Sequence, residues 1–166
     1  MNVILTQKEK LLLEDLKGHE QICIQKYSDY ANQVSDQQLK TLFGNHALIE
    51  QQHLNSINQL LNGLVPSMTQ QGQGQNQQQP QPQQQAQQML NSTMQQSNAN
   101  AQMSDKDICS DLLITEKYVS GAYNTAIFEC KDTQVRDVLN HIQKEEQKHG
   151  EAIFKYMESK GLYTPK

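Results

Sequence analysis

With 166 residues the chain can bury one core, yet only 36% of it is apolar and its mean hydropathy is -0.78, which predicts a foldable part sharing the chain with a polar part that does not fold. A net charge of -4, a pI near 5.7 and the lack of any Lys/Arg cluster argue against nucleic acid as a partner. No apolar run nears the roughly 20 residues that span a bilayer, and residues 1–10 hold no signal-type apolar core, so no membrane insertion and a reducing cytoplasm are expected.

The first helix is predicted from Gln7 to Val34, opened by a capping box of Thr6 with Glu9. The second starts at Ser35 as cap, with Gln38 at the third helical position, and ends near Asn62 before Gly63 and Pro66. From Gln51 to Ser104 there is no Asp, Glu, Lys or Arg, and about half of the residues from Gln70 to Gln102 are glutamine. Such a segment buries too little apolar surface to offset its chain entropy, so 66–103 reads as a disordered, low-complexity linker, with at most a marginal helix around Ala86 to Met94. The third helix follows Ser104, and the fourth follows Asp132 and stops before Gly161 and Pro165. Residues 1–65 thus form one helical hairpin and 104–166 a second. Cys23, Cys109 and Cys130 are too few and too irregular for a disulfide framework or zinc site, and are expected as buried thiols.

The chain slid against itself by 96 positions reveals a gapless internal repeat. Asp15, Leu16, Glu20, Tyr27, Asp36, Gln38, Glu50, Gln51, His53 and Ile57 fall on Asp111, Leu112, Glu116, Tyr123, Asp132, Gln134, Glu146, Gln147, His149 and Ile153. A lone hairpin leaves its apolar stripe exposed, whereas two copies bury each other, which predicts an all-α antiparallel four-helix bundle.

Polar residues interrupt that stripe. In the first helix Leu13, Leu16, Glu20, Cys23, Tyr27, Tyr30 and Val34 share one face, so Glu20 points inward. The second helix gives Leu39, Leu42 or Phe43, His46, Glu50, His53, Ile57 and Leu60, with Glu50 and His53 one turn apart. The second hairpin repeats the pattern with Glu116, Glu146 and His149. Four buried carboxylates without partners would cost several kcal/mol each, so they require cations or shifted pKa values. One glutamate from each of two helices plus Glu-x-x-His from each of the other two is the ligand set of ferritin-like di-iron and di-manganese proteins. On that resemblance Glu20 and Glu116 are terminal ligands, Glu50 and Glu146 bridge, and His53 and His149 complete the shells of two iron or manganese ions. The competing account treats the six as relics satisfied by water and hydrogen bonds. Tyr27 and Tyr123, two turns beyond the glutamates, read as core tyrosines or as hydrogen-bond partners of the site, and His46 and His141 as ordinary interior or rim histidines.

Residues Thr115 to Cys130 (TEKYVSGAYNTAIFEC), His141 to Gly150 (HIQKEEQKHG) and a closing GLY resemble the coat F family of spore coat proteins of endospore-forming bacteria; the amino-terminal LTQKEKLLLEDLKGHEQICIQKY is also similar. The resemblance implies a ferritin-like bundle made in the mother-cell cytoplasm and deposited in the spore coat. A structural or protective role beside other coat proteins follows from it, with a homo-oligomer left open and no catalytic residue assigned. Two alternatives stand beside it: a di-metal oxidoreductase acting on peroxide or oxygen, and iron storage in a shell. The linker's glutamines, with Lys and Tyr of the helices, would also suit covalent cross-linking, against the plainer reading of a polar spacer.

Overall fold

The computed structural model describes residues 2–67 and 103–164; of the linker expected over 66–103, all but residues 66, 67 and 103, the short helix included, lies outside the described residues. Among the described residues four helices make up the fold: α1 (Gln7–Gln33), α2 (Gln37–Leu61), α3 (Asp105–Glu129) and α4 (Thr133–Ser159). Among the described residues none of them is long and apolar enough to cross a membrane.

Each helix begins on a side chain that satisfies its free amides. Thr6 and Glu9 form the expected capping box: Glu9 N–H donates to Thr6 Oγ1 at 3.2 Å and Thr6 N–H to Glu9 Oε2 at 2.7 Å. Glu9 does more than cap, since its other oxygen accepts the Lys131 N–H at 2.7 Å and ties the start of α1 to the α3–α4 turn. Ser104 and Asp132 cap α3 and α4 as expected. For α2 the expectation is corrected: Asp36, not Ser35, accepts the Gln38 N–H, at 2.7 Å. Ser35 is engaged elsewhere, its amide and hydroxyl both donating to the Asp105 carboxylate in the first turn of α3.

The two hairpins stand antiparallel at every neighbouring contact. Lys8 near the start of α1 pairs with Glu129 at the end of α3, and Lys160 just past α4 reaches Asp36 at the start of α2 at 2.9 Å. Hence α1 packs against α2 and α3, α4 packs against α3 and α2, and α2 ends at the opposite end of the bundle from the start of α3. A bundle with one such lengthwise crossover has ferritin-like connectivity. Gly63 closes α2 with φ of 76°, and its carbonyl accepts the Val3 N–H at 2.8 Å. A Cβ there would sit 3.0 Å from the Val3 carbonyl oxygen, so both the turn and this close approach call for glycine.

The apolar core comes in two blocks. One gathers Leu13, Leu16, Ile57, Leu60, Val135, Leu139 and Ile142, and the other Leu39, Phe43, Ile108, Leu112, Ile153 and Tyr156. Glu20, Glu50, Glu116 and Glu146, one on each helix, lie between Leu16 and Tyr27, Phe43 and Ile57, Leu112 and Val119, and Ile142 and Ile153, where the two blocks meet. A polar layer therefore cuts the core across its middle. Tightly packed apolar blocks above and below supply the burial energy that this layer lacks.

Candidate metal centre

Helical periodicity carries each of the six expected ligands inward, and the structure brings all six together. Glu20, Glu50 and Glu146 have no exposure, while Glu116, His53 and His149 are 2% exposed. They form two overlapping groups, Glu20 with Glu50, His53 and Glu146, and Glu116 with Glu50, Glu146 and His149; within each group, the candidate ligand atoms lie within 4.8 Å of one another. Glu50 and Glu146 belong to both groups.

Both imidazoles turn Nδ1 toward the carboxylates. His53 Nδ1 stands 3.1 Å from Glu146 Oε1, 3.2 Å from Glu50 Oε2 and 3.6 Å from Glu20 Oε2. His149 Nδ1 stands 2.9 Å from Glu50 Oε1 and 3.8 Å from both Glu116 Oε1 and Glu146 Oε2. The protein supplies too few donors for this many acceptors. Glu20 Oε2, Glu116 Oε2 and both oxygens of Glu146 are buried without a hydrogen bond. Burial first, and then the neighbouring Glu50 charge, lifts the carboxyls of Glu20 and Glu146 from 4.5 to about 7. Glu116 is raised well above its ordinary value by burial and by Glu146. Burial pulls His149 down to about 4, whereas at His53 the same pull is overcome by Glu146, Glu20 and Glu50, which raise it.

Two tyrosines brace Glu116 and Glu20 crosswise. The Tyr27 hydroxyl of α1 donates to Glu116 Oε1 on α3, and the Tyr123 hydroxyl of α3 donates to Glu20 Oε1 on α1. These are hydrogen-bond partners of the site rather than bystanders in the core, and their own ionisation is pushed well up by burial and by the carboxylates.

His46 is the residue whose place the sequence reading underrated. It is 5% exposed and stacks on the His149 ring with centroids 4.1 Å apart, while Tyr27 meets it edge-on at 5.1 Å. Burial holds it neutral, with a pKa lowered to about 3, and its Nδ1 has no partner. His141 is only half-buried, as a rim residue would be. Cys23, Cys109 and Cys130 are buried, free thiols, and burial raises the pKa of each.

A groove of about 490 Å³ between α3 and α4 reaches this layer from outside, its lining including Glu116, Glu146, Ser120, Gly150 and Phe154. Chemically, the layer is a buried, acceptor-rich cage of oxygen and imidazole nitrogen, the donor set suited to iron or manganese rather than to a thiolate-preferring metal.

Residues 104–166 match the family model of the Coat F domain, which places that domain over α3 and α4. The amino-terminal hairpin, for which the same resemblance is expected, lies outside the matched stretch. Among solved structures, the chain is similar to a two-domain protein of Anabaena variabilis containing DJ-1/ThiJ/PfpI-like and ferritin-like domains, with a TM-score of 0.66 and 15% identity. The alignment covers 95% of this chain and 38% of that one, so this chain spans well under half the length of that protein. At such identity the likeness establishes the fold alone, a ferritin-like four-helix bundle. No curated protein sequence matches the chain.

Proposed function

We propose that the protein is a structural or protective component of the spore coat whose bundle holds two divalent iron or manganese ions. Glu20 and His53 serve one ion, Glu116 and His149 the other, and Glu50 and Glu146 serve both. One observation supports the metal reading above the others: Glu146 sits in both groups with two buried oxygens, neither in a well-formed hydrogen bond, and the His53 imidazole stands 3.1 Å from one of them. Ionised carboxylates in that position are destabilising unless cations neutralise them. Bound there, the ions would supply that neutralisation and tie all four helices to one point. The coat assignment is supported by the Coat F match over residues 104–166, and synthesis in the mother cell and contact with other coat proteins are part of the proposal.

Elemental analysis of protein purified without chelators tests the metal, with about two ions per chain expected. Metal-free protein from cells replete in iron and manganese would end that part, and absence of the chain from purified spore coats would end the other. A second reading, turnover of peroxide or oxygen at the same centre, is favoured by the groove ending on Glu116 and Glu146, because purely structural sites are closed whereas catalytic ones keep access. Peroxide consumption that is lost in Glu50→Ala would establish it, and inert metal-loaded protein would dismiss it.

A further inference from the structure

The duplication invites a comparison that the two halves fail in an informative way. If they were equivalent, a groove like that between α3 and α4 would be matched by equivalent residues between α1 and α2. The residues that line the groove at Ser120 and Gly150 correspond, 96 positions earlier, to Ile24 and Leu54. Small side chains thus flank Glu116 where bulky apolar ones flank Glu20, and both Ile24 and Leu54 are partly buried. At Gly150 an added Cβ would lie 3.9 Å from the Glu116 Cβ and 3.6 Å from Leu113 Cδ1, so any longer side chain would grow across the floor of the groove. Exposure follows the same asymmetry, with the Glu116 side chain 3% exposed and that of Glu20 fully enclosed.

A second difference falls beside the same group, though it comes from the other hairpin. His46, stacked on His149 with a buried, unpartnered Nδ1, occupies the position that Ile142 fills in the other copy. The Glu116/His149 group therefore has a polar, uncommitted neighbour, and the Glu20/His53 group has an apolar one.

We infer that the two metal positions are inequivalent, and that the groove held open by Ser120 and Gly150 is the passage by which a hydrated divalent cation enters and leaves at the Glu116/His149 position. This rests on the metal reading above. Size permits it: six waters occupy roughly 180 Å³, well within the groove's volume of about 490 Å³. Glu116, Glu146 and Glu151 outnumber the one cationic residue of the lining, Lys117, a balance that suits a cation. The Glu20/His53 position, with the bulkier Ile24 and Leu54 in its own half, fills and empties through the shared glutamates.

The test is exchange kinetics rather than activity. Full-length protein loaded with manganese is diluted into excess chelator, and release is followed for the wild type, Gly150→Leu and Ser120→Ile, each variant installing the residue that the first hairpin already carries. Both are expected to keep the wild-type metal content and to release manganese roughly fivefold more slowly or more, because each closes the passage from a different wall. Thermal unfolding of each variant checks that it is folded, and if one of them fails to fold the other decides. Wild-type metal content with release less than about fivefold slower in a folded variant overturns the passage and leaves the metal centre standing. A wild-type chain that takes up no manganese overturns the centre, and the passage with it.

Discussion

Glu146→Gln should stabilise the metal-free protein at pH 8 and weaken the metal-loaded one. The Glu146 side chain has no exposure, and its one near donor is His53 Nδ1, 3.1 Å from Oε1 and outside good hydrogen-bond geometry. Burial, opposed by His53 and reinforced by Glu50 and Glu20, lifts its carboxyl from 4.5 to about 7. An acid whose folded-state value is raised favours the fold when protonated, so its contribution is full below pH 4.5 and is lost as pH rises through 7. At 1.36 kcal/mol per unit that loss reaches roughly 3 kcal/mol. A neutral amide escapes it, less whatever His53 Nδ1 forfeits at 3.1 Å. A net gain of about 1–3 kcal/mol corresponds to a melting temperature higher by roughly 3–10 °C for a chain of this size. Manganese reverses the order, since wild-type protein at 100 times its Kd gains about 2.7 kcal/mol that a variant lacking a shared ligand does not. Thermal unfolding by circular dichroism, in chelator and in manganese at pH 5 and pH 8, reads all four cases. A variant that melts below wild type in chelator at pH 8 would refute the reasoning, because the carboxylate would then be stabilising without a cation.

Ligand position should set stoichiometry: Glu50→Ala loses both ions because it removes a group common to the two positions, whereas Glu20→Ala retains the ion at Glu116/His149, as elemental analysis would report. Tyr123→Phe leaves Glu20 Oε1 without its donor and should cost about 1–3 kcal/mol in urea unfolding of metal-loaded protein. Glu9→Ala removes the capping box together with the acceptor for Lys131 N–H, and should cost about 1–3 kcal/mol in the same assay with metal content unchanged.

Much of the site was legible because two independent periodicities agree. The helical repeat turns Glu20, Glu50 and His53 inward, and the offset of 96 residues says the same of Glu116, Glu146 and His149. What periodicity cannot supply is contact between side chains. That Tyr27 would reach across to Glu116 rather than to the glutamate of its own helix depends on how α1 and α3 pack. The stacking of His46 on His149 likewise joins α2 to α4, and no spacing within one helix encodes it. The α2 cap is a different case, for the signal was present: Asp36 aligns with Asp132, which caps α4, so the repeat itself pointed to Asp36. Ser35 looked competent in isolation, and only the Asp105 carboxylate from a distant helix shows why it is occupied.

The two hairpins have diverged at most positions, and what they still share is telling. Among the ten matched pairs named above, three are the candidate ligands, a fourth is the pair of tyrosines that donate to the terminal glutamates, and a fifth is the pair of aspartates that cap α2 and α4. Apolar core positions have meanwhile exchanged freely, Phe43 for Leu139 and Leu60 for Tyr156, as cores tolerate when volume and patterning are kept. A layer of four buried carboxylates is costly to an empty bundle, and substitution of any one by an apolar residue would relieve it. Its survival in both copies, together with its tyrosine braces, is physically coherent if the layer is filled by cations while the protein does its work. Three differences near the layer, His46 against Ile142, Ser120 against Ile24 and Gly150 against Leu54, bear on the Glu116/His149 group, where a passage would be needed.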